Sequence, residues 1–245
     1  MSSQQLAIIA GVGSGTGASL ARRFASKYTV ILLARKPSSY QPVEKEINEN
    51  GGKAHGISTD ISNPESVKAA FEEILTKFPN ASVQTAIFNA SGMFVRKPLL
   101  DITMEDMDAG LGVSVRGALL FAQTVLPLLL NCPPSHQIPP SLFFTGSTAA
   151  IKANPTSAVM CVPRHGLRAL AISAAKEFGP KGVHVVHVIV DGAIDTPWGQ
   201  PFLRDKPLEE RIDPEGIAQM YWDLHLQGRR GFTFEVDVRG MGERW

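Results

Sequence analysis

Ala10-Gly11-Val12-Gly13-Ser14-Gly15-Thr16-Gly17 separates an apolar run, Leu6-Ala7-Ile8-Ile9, from the segment Ala18-Ser19-Leu20-Ala21-Arg22-Arg23-Phe24-Ala25. In the second segment Leu20, Ala21, Phe24 and Ala25 recur at helical spacing. The order expected up to Tyr28 is therefore strand, glycine turn, helix. Glycine lets the turn tighten and lets backbone N–H groups come close to a ligand. The helix opens with unpaired donors and the positive end of its dipole at the same point. That arrangement suits a pyrophosphate, and the flanking strand and helix make it a candidate dinucleotide site. Glycine turns also serve merely to connect elements, so the rest of the chain has to bear on the choice.

The next apolar run, Thr29-Val30-Ile31-Leu32-Leu33, reads as a strand buried on both faces. It ends in Ala34-Arg35-Lys36-Pro37. About 20 residues after such a turn, an NAD site places an acid on the ribose hydroxyl. Here Ala34 stands there, followed by two cations. A guanidinium grips a 2′-phosphate that a carboxylate would repel, so Arg35 and Lys36 point to NADP(H). The alternative is that both are ordinary solvated turn residues.

Strands and helices alternate along the remaining chain. Glu44 to Asn50 reads as a helix stopped by Gly51-Gly52, and Lys53 to Ser58 as a third strand. Asn63 caps a helix with Pro64 in its first turn, running to about Phe78. Val83 to Phe88 is a fourth strand, followed by Asn89-Ala90-Ser91-Gly92 and a long helix from about Thr103 to Leu130. Cys132 to Pro140 is a proline-rich loop containing Pro133, Pro134, Pro139 and Pro140. Ser141 to Thr145 is a fifth strand leading into Gly146-Ser147-Thr148, and Val159 to Phe178 is a helix. Val183 to Val190 is a β-branched sixth strand, Asp195 to Leu208 a loop, Pro214 to Leu226 a helix capped by Asp213, and Phe232 to Val238 a last strand. This pattern predicts an α/β fold: a doubly wound parallel sheet of about seven strands flanked by helices, one domain over 1–245.

Composition limits the functional classes. The chain has 245 residues, 24 basic and 23 acidic, for a net charge of +1, with no basic face that argues for nucleic acid. Two cysteines, Cys132 and Cys161, make neither a disulfide scaffold nor a metal cluster and fit a reducing compartment. The start, Met1-Ser2-Ser3-Gln4-Gln5, lacks a charged and apolar leader. The apolar run Ala118 to Leu130 carries Gln123, Thr124 and Pro127 and reads as a buried helix rather than a membrane span. A cytoplasmic protein with a small-molecule substrate is expected. His184 and His187 lie three apart in a strand, hence on opposite faces, and no metal site is expected. Gly146-Ser147-Thr148-Ala149 lacks the second glycine of a hydrolase elbow.

Together these pieces resemble the short-chain dehydrogenase/reductase family along nearly the whole chain. Gly11, Gly15 and Gly17 match the family's glycine loop, with Ala10 in its Thr position. Asp60-Ile61 is similar to the Asp-Val pair that contacts adenine, and Asn89-Ala90-Ser91-Gly92 to the Asn-Asn-Ala-Gly after the fourth strand. Asp191-Gly192 stands where the family has Pro-Gly, and Thr196 where a Thr bonds the nicotinamide amide, with Ile194 between them. The resemblance implies a Rossmann-type nucleotide domain. It implies that Gly13, Ser14, Thr16, Ala90 and Ser91 also lie along the cofactor. It also implies pairing of the helices near 103–130 and 159–178 in a homodimer or homotetramer. Gly110, Gly112, Ala118, Ala169, Ala171, Ala174 and Ala175 would permit their close approach.

The catalytic positions depart from that family. Ser147 matches the Ser that orients the substrate carbonyl, but Met160 replaces the Tyr proton donor, Arg164 the Lys, and Ser114 the helical Asn. A thioether donates no proton. Carbonyl reduction develops an alkoxide that needs a donor within reach. Arg164 keeps a permanent charge for the nicotinamide ribose. Asp191, at the end of the sixth strand, is a candidate acid or partner for a cationic substrate, or simply a turn cap. Lys152, Asn154 and His165 are nearer to ordinary solvated residues. Three readings stay open: a reductase of an iminium, enone or carbonyl that needs no strong acid; a non-redox isomerase or cyclase with an apolar pocket of Met93, Phe94, Met160, Trp198 and Phe202; and an NADP(H)-sensing protein without chemistry.

Overall fold

The computed structural model describes residues 4–92, 94–133 and 137–243, so Met93 and Pro134 lie outside the described residues. The seven strands are β1 (Gln5–Ala10), β2 (Thr29–Ala34), β3 (Lys53–Ser58), β4 (Ser82–Phe88), β5 (Ser141–Ser147), β6 (His184–Asp191) and β7 (Glu235–Arg239). They form one sheet in the order β3-β2-β1-β4-β5-β6-β7. Every neighbouring pair is parallel. The direction of strand addition reverses between β1 and β4. At such a reversal the loops leaving the two strands diverge and open a crevice at their carboxyl ends.

Strand sequences divide their side chains between two cores. Leu6, Ile8 and Ala10 of β1 face one side, Ala7 and Ile9 the other. The first side is covered by α3 (Pro64–Lys77), α5 (Ala118–Leu130) and α6 (Ala158–Phe178). The second is covered by α1 (Thr16–Ala25), α2 (Pro37–Glu49) and α8 (Pro214–His225). The apolar stretch Met104–Leu130 has the length and composition to cross a bilayer. Its residues Ala118, Phe121, Ala122, Val125, Leu126 and Leu129 are instead buried against the sheet. On the other face, Phe24 of α1 meets the Trp222 ring of α8 edge-on at 5.3 Å.

Three expectations change. The helix expected over 103–130 is α4 (Met104–Leu111), a π-helical turn at Gly112–Gly117, and α5. Ser114, expected from the sequence at the family's Asn position, is buried in that wide turn. The second helix begins at Pro37, not Glu44, because Pro42 does not end it. The loop expected over 195–208 holds a short helix, α7 (Gln200–Leu203).

Helix α6 carries Pro163 in its interior. Proline has no N–H, so the carbonyl of Val159, one turn back, has no helical partner there. Gly110 of α4 lies against this place: an added Cβ would be 2.9 Å from Pro163 Cγ and 3.0 Å from the Val159 oxygen. The proline and the glycine together bring α4 against the turn that holds Met160 and Arg164.

Candidate active site

The turn after β1 is tied to its surroundings by backbone contacts. Gly11 N and Val12 N donate to the Leu33 carbonyl at 2.9 and 3.2 Å. Asn89 Nδ2 donates to the Gly11 carbonyl at 3.0 Å. Gly11 has φ +90°, and a Cβ there would sit 2.4 Å from Ala90 N. A Cβ on Gly17 would sit 2.6 Å from the Gly11 oxygen. Both must be glycine for the turn to pass under the chain leaving β4. Gly13, in contrast, has no atom within 4 Å of its missing side chain and marks the open side of the turn.

Helix α1 starts at this opening. Gly15 is its N-cap and supplies no side-chain cap, and the first turn holds no acidic residue. The donors of that turn therefore lack side-chain partners and carry the positive end of the dipole. Gly15 also packs on Thr196, whose Cγ2 would be 3.0 Å from an added Cβ. Thr196 sits in a tight loop after β6: its N donates to the Ile194 carbonyl at 2.8 Å, its Oγ1 accepts from Gly199 N at 3.2 Å, and Gly192 has φ +139°. The open Gly13 side, the uncapped helix and the glycine cradle fit a dinucleotide pyrophosphate.

Further along the crevice lie Arg35, Lys36 and Asp60. Arg35 and Lys36 are exposed at the end of β2, directly after buried Ala34. Asp60 Oδ1 accepts from Ser62 Oγ at 2.6 Å and from Ser62 N at 3.0 Å. The Ser62 hydroxyl chiefly, and the nearby Arg35 charge in part, hold its carboxyl below the usual range. Ile61 is buried, and Gly117 lets the start of α5 approach it: a Cβ there would lie 3.0 Å from the Ile61 carbonyl.

A family model described as enoyl-(acyl carrier protein) reductase matches residues 11–224. The chain belongs to the short-chain dehydrogenase/reductase family. It is 24% identical to the sepiapterin reductase of Chlorobaculum tepidum over 96% of both chains. The 3-ketoacyl-(acyl-carrier-protein) reductase of Brucella melitensis, solved with NADH, superposes with a TM-score of 0.84 at 25% identity, over 98% of both chains. The alcohol dehydrogenase of Thermococcus sibiricus, complexed with 5-hydroxy-NADP, has the same fold, with a TM-score of 0.84 and 22% identity over 98% of both chains.

In this short-chain dehydrogenase/reductase, the residues expected at the catalytic end lie at the end of β5 and the start of α6. Ser147 closes β5 and is half-buried, and Met160 is half-buried in the first turn of α6. Arg164, one turn later, donates through Nη2 to Ser91 Oγ and through Nη1 to the Thr145 carbonyl at 3.4 Å. Desolvation pulls its pKa below the ordinary guanidinium value. Among the described residues it has no carboxylate partner. The three tyrosines serve elsewhere. Tyr28 bonds His225 at 2.8 Å, Tyr40 bonds Ser58 at 3.1 Å, and Tyr221 bonds Thr145 Oγ1 at 2.8 Å. Burial pushes the Tyr28 and Tyr221 hydroxyls well above the ordinary phenol range.

Asp191, expected as an acid, a substrate partner or a turn cap, is held by side chains of the protein itself. It is buried, Thr148 Oγ1 donates to its Oδ1, and Arg239 Nη1 lies 2.5 Å from its Oδ2. Both oxygens face protein partners. Arg239 and Thr148 were invisible in sequence, because only the β6–β7 register sets Asp191 opposite Arg239. His165 is exposed, with Nδ1 on the Cys161 carbonyl at 2.9 Å. Phe94 and Trp198 meet edge-on at 6.2 Å, joining the loops after β4 and β6. Met93 and the Phe202 side chain lie outside the described residues. Among the described residues no group of three or more metal-ligating side chains occurs.

Proposed function

We propose that this protein binds NADP(H) and transfers hydride between it and a small, largely apolar substrate whose reaction needs no acid from the protein. An iminium, which becomes a neutral amine on hydride addition, and an enone, whose carbon takes a proton from water, are such substrates. A carbonyl, whose developing alkoxide needs a donor, is the third candidate and stands apart from these two. The observation that carries the cofactor reading is Arg35 beside Asp60 with Ala34 in place of an acid. Solved structures with this fold carry NADP or NADH, and Arg35 and Lys36 are what support the phosphorylated form here.

Bound nicotinamide supplies or takes the hydride. The glycine turn and the α1 N-terminus would hold the pyrophosphate, with Ser14 and Thr16 alongside. Arg35 and Lys36 would hold the 2′-phosphate, Asp60 and Ile61 the adenine side, and Asn89, Ala90 and Ser91 the middle. Gly192, Ile194 and Thr196 would meet the nicotinamide. Ser147 would face the substrate's polar atom, donating to a carbonyl or enone oxygen or accepting from an iminium N–H. Arg164 would offer a ribose hydroxyl one of its remaining donors and keep the others free. Met160 leaves the tyrosine position apolar, so carbonyl reduction is the weakest of the three chemistries here.

Equilibrium binding of NADPH and NADH, followed by fluorescence, tests the cofactor reading; equal affinities overturn it. Single-turnover NADPH oxidation with iminium, enone and ketone panels tests the chemistry; no oxidation with any class overturns hydride transfer. Met160 favours a second reading, in which the protein binds NADP(H) without reducing carbonyls, as an isomerase or a sensor. Tight NADPH binding with no turnover is its signature. The Met160→Tyr, Arg164→Lys double variant gaining ketone reduction would show that only the acid is missing.

We extend the proposal to assembly. Leu119 and Leu130 of α5 and Val162 of α6 are exposed apolar residues on the helices that resemble the family's pairing surface. A homodimer or homotetramer is expected, and a monomeric mass at micromolar concentration overturns it.

A further inference from the structure

Arg164 is a half-buried cation whose described contacts are both neutral. Ser91 Oγ and the Thr145 carbonyl take two of its five N–H donors. Removing a cation from water without a counter-ion is costly. Asp191, the acid that closes β6 at the carboxyl edge of the sheet, is engaged by Arg239 and Thr148. Arg168, the next arginine along the same helix, shows the contrast: both Glu235 oxygens meet it, at 2.6 and 2.9 Å. Arg164 thus keeps donors and charge for something outside the protein.

Its surroundings say what that is. Ser91, which Arg164 bonds, begins the loop that carries Phe94. Phe94 meets Trp198, and two residues before Trp198 stands Thr196, packed on Gly15 of the nucleotide turn. Cation, aromatic pair and nucleotide turn therefore ring one crevice at the carboxyl ends of β1, β4, β5 and β6. Phe94 and Trp198 are largely exposed, an apolar wall on the crevice rim.

We propose that Arg164 binds a carboxylate of the substrate, and that the substrate is an apolar or aromatic carboxylic acid carrying the reducible bond. This rests on the proposed nucleotide site and narrows its substrate class. A guanidinium pairs with a carboxylate through parallel N–H donors, which a lysine at the same place does only as a point charge. The acid, with its carboxylate on α6 and its apolar body against Phe94 and Trp198, lies across the crevice beside the nucleotide.

The test is binding rather than turnover. Cinnamate and its neutral amide are titrated by calorimetry into the protein with saturating NADP+ and again without nucleotide. Cinnamate is expected to bind about tenfold more tightly than the amide or better. Arg164→Met should bring the ratio near one, and Arg164→Lys should keep part of it. Trp198→Ala, at an exposed position, should weaken both ligands and leave the ratio alone. A ratio near one in the wild type, or one unchanged in Arg164→Met, overturns the proposal. Absence of NADP+ binding would overturn the nucleotide site, while the ratio read without nucleotide still decides the carboxylate.

Discussion

Asp191 and Arg239 are register partners across the last two strands, with the guanidinium Nη1 2.5 Å from the carboxylate Oδ2. Asp237 also binds Arg239, through Nη2 at 2.7 Å, and Thr148 closes the other side of Asp191. The pair ties the edge strand to the residue that begins the loop carrying Gly192 and Thr196. Removing one partner leaves the other charge buried alone, whereas removing both does not. Arg239→Met should therefore lower the urea midpoint more than Arg239→Met with Asp191→Asn. An equal or smaller loss in the single variant would refute this ordering.

Gly11 has a positive φ and no room for a Cβ beside Ala90. Gly11→Ala should cost stability of about 1–3 kcal/mol and abolish NADPH binding. Gly13→Ala, with open space around it, should leave the fold stable. Thermal unfolding and nucleotide titration of both variants check the pair.

Arg35→Glu places an acid where the 2′-phosphate is expected. NADPH affinity should fall about tenfold or more relative to NADH. If the ratio of affinities stays at its wild-type value, Arg35 is only a solvated turn residue.

His187 is fully buried, and its ring occupies the space a side chain at 146 would need. A Cβ on Gly146 would lie 2.4 Å from His187 Nε2. Gly146→Ala should cost about 1–3 kcal/mol. In a His187→Ala background the same change should cost much less, giving a coupling of about 1 kcal/mol in a double-mutant cycle. Additive effects would mean that the strand moves instead.

His225 sits at the centre of a buried chain. Its Nε2 faces the Tyr28 hydroxyl at 2.8 Å and its Nδ1 faces Ser141 Oγ at 2.7 Å, while Ser141 donates to Thr85 Oγ1 at 2.8 Å. This order assigns the Nδ1–H neutral ring, with Tyr28 as donor to Nε2. Burial first, with the Lys27 and His184 charges, pushes its pKa down to about 3. The unfolded ring titrates near about 6.5. Between those values the unfolded chain holds a proton that the folded one lacks. The stabilising contribution is therefore whole above about pH 6.5 and declines as pH falls toward about 3, by up to about 1.4 kcal/mol per unit. Urea titrations from pH 7 to 5 should show the loss, with a shallower slope for His225→Gln. Desolvation shifts His184 and His187 in the same direction, so part of the slope should persist.

The glycine turn and its flanking elements were legible because their signals are local. A glycine turn, a strand before it and a helix after it occupy consecutive residues, and Gly11 and Gly17 stand where the turn has no room for a side chain. The end of β6 was not legible in the same way. Asp191 looked like a residue aimed at substrate because it closes a strand at the ligand edge, and its partners arrive from Thr148 and Arg239, far along the chain. The helix at 104–130 was legible as apolar and long, but its π-helical turn depends on how Gly112 to Gly117 packs.

Sequence alone determined that the chain forms an alternating α/β sheet with a glycine turn after its first strand, and it set Met160 and Arg164 as the expected occupants of the family's acid and lysine positions. Periodicity and residue chemistry are properties of short stretches, so they can be read without coordinates. Tertiary structure decided that Asp191 is paired with Arg239 inside the protein, that Tyr221 is sealed against Thr145, and that Arg164 meets only neutral groups among the described residues. Those facts depend on which strands lie side by side and in what register. Such pairings between distant segments are set by burial of the whole sheet, not by any one stretch of it.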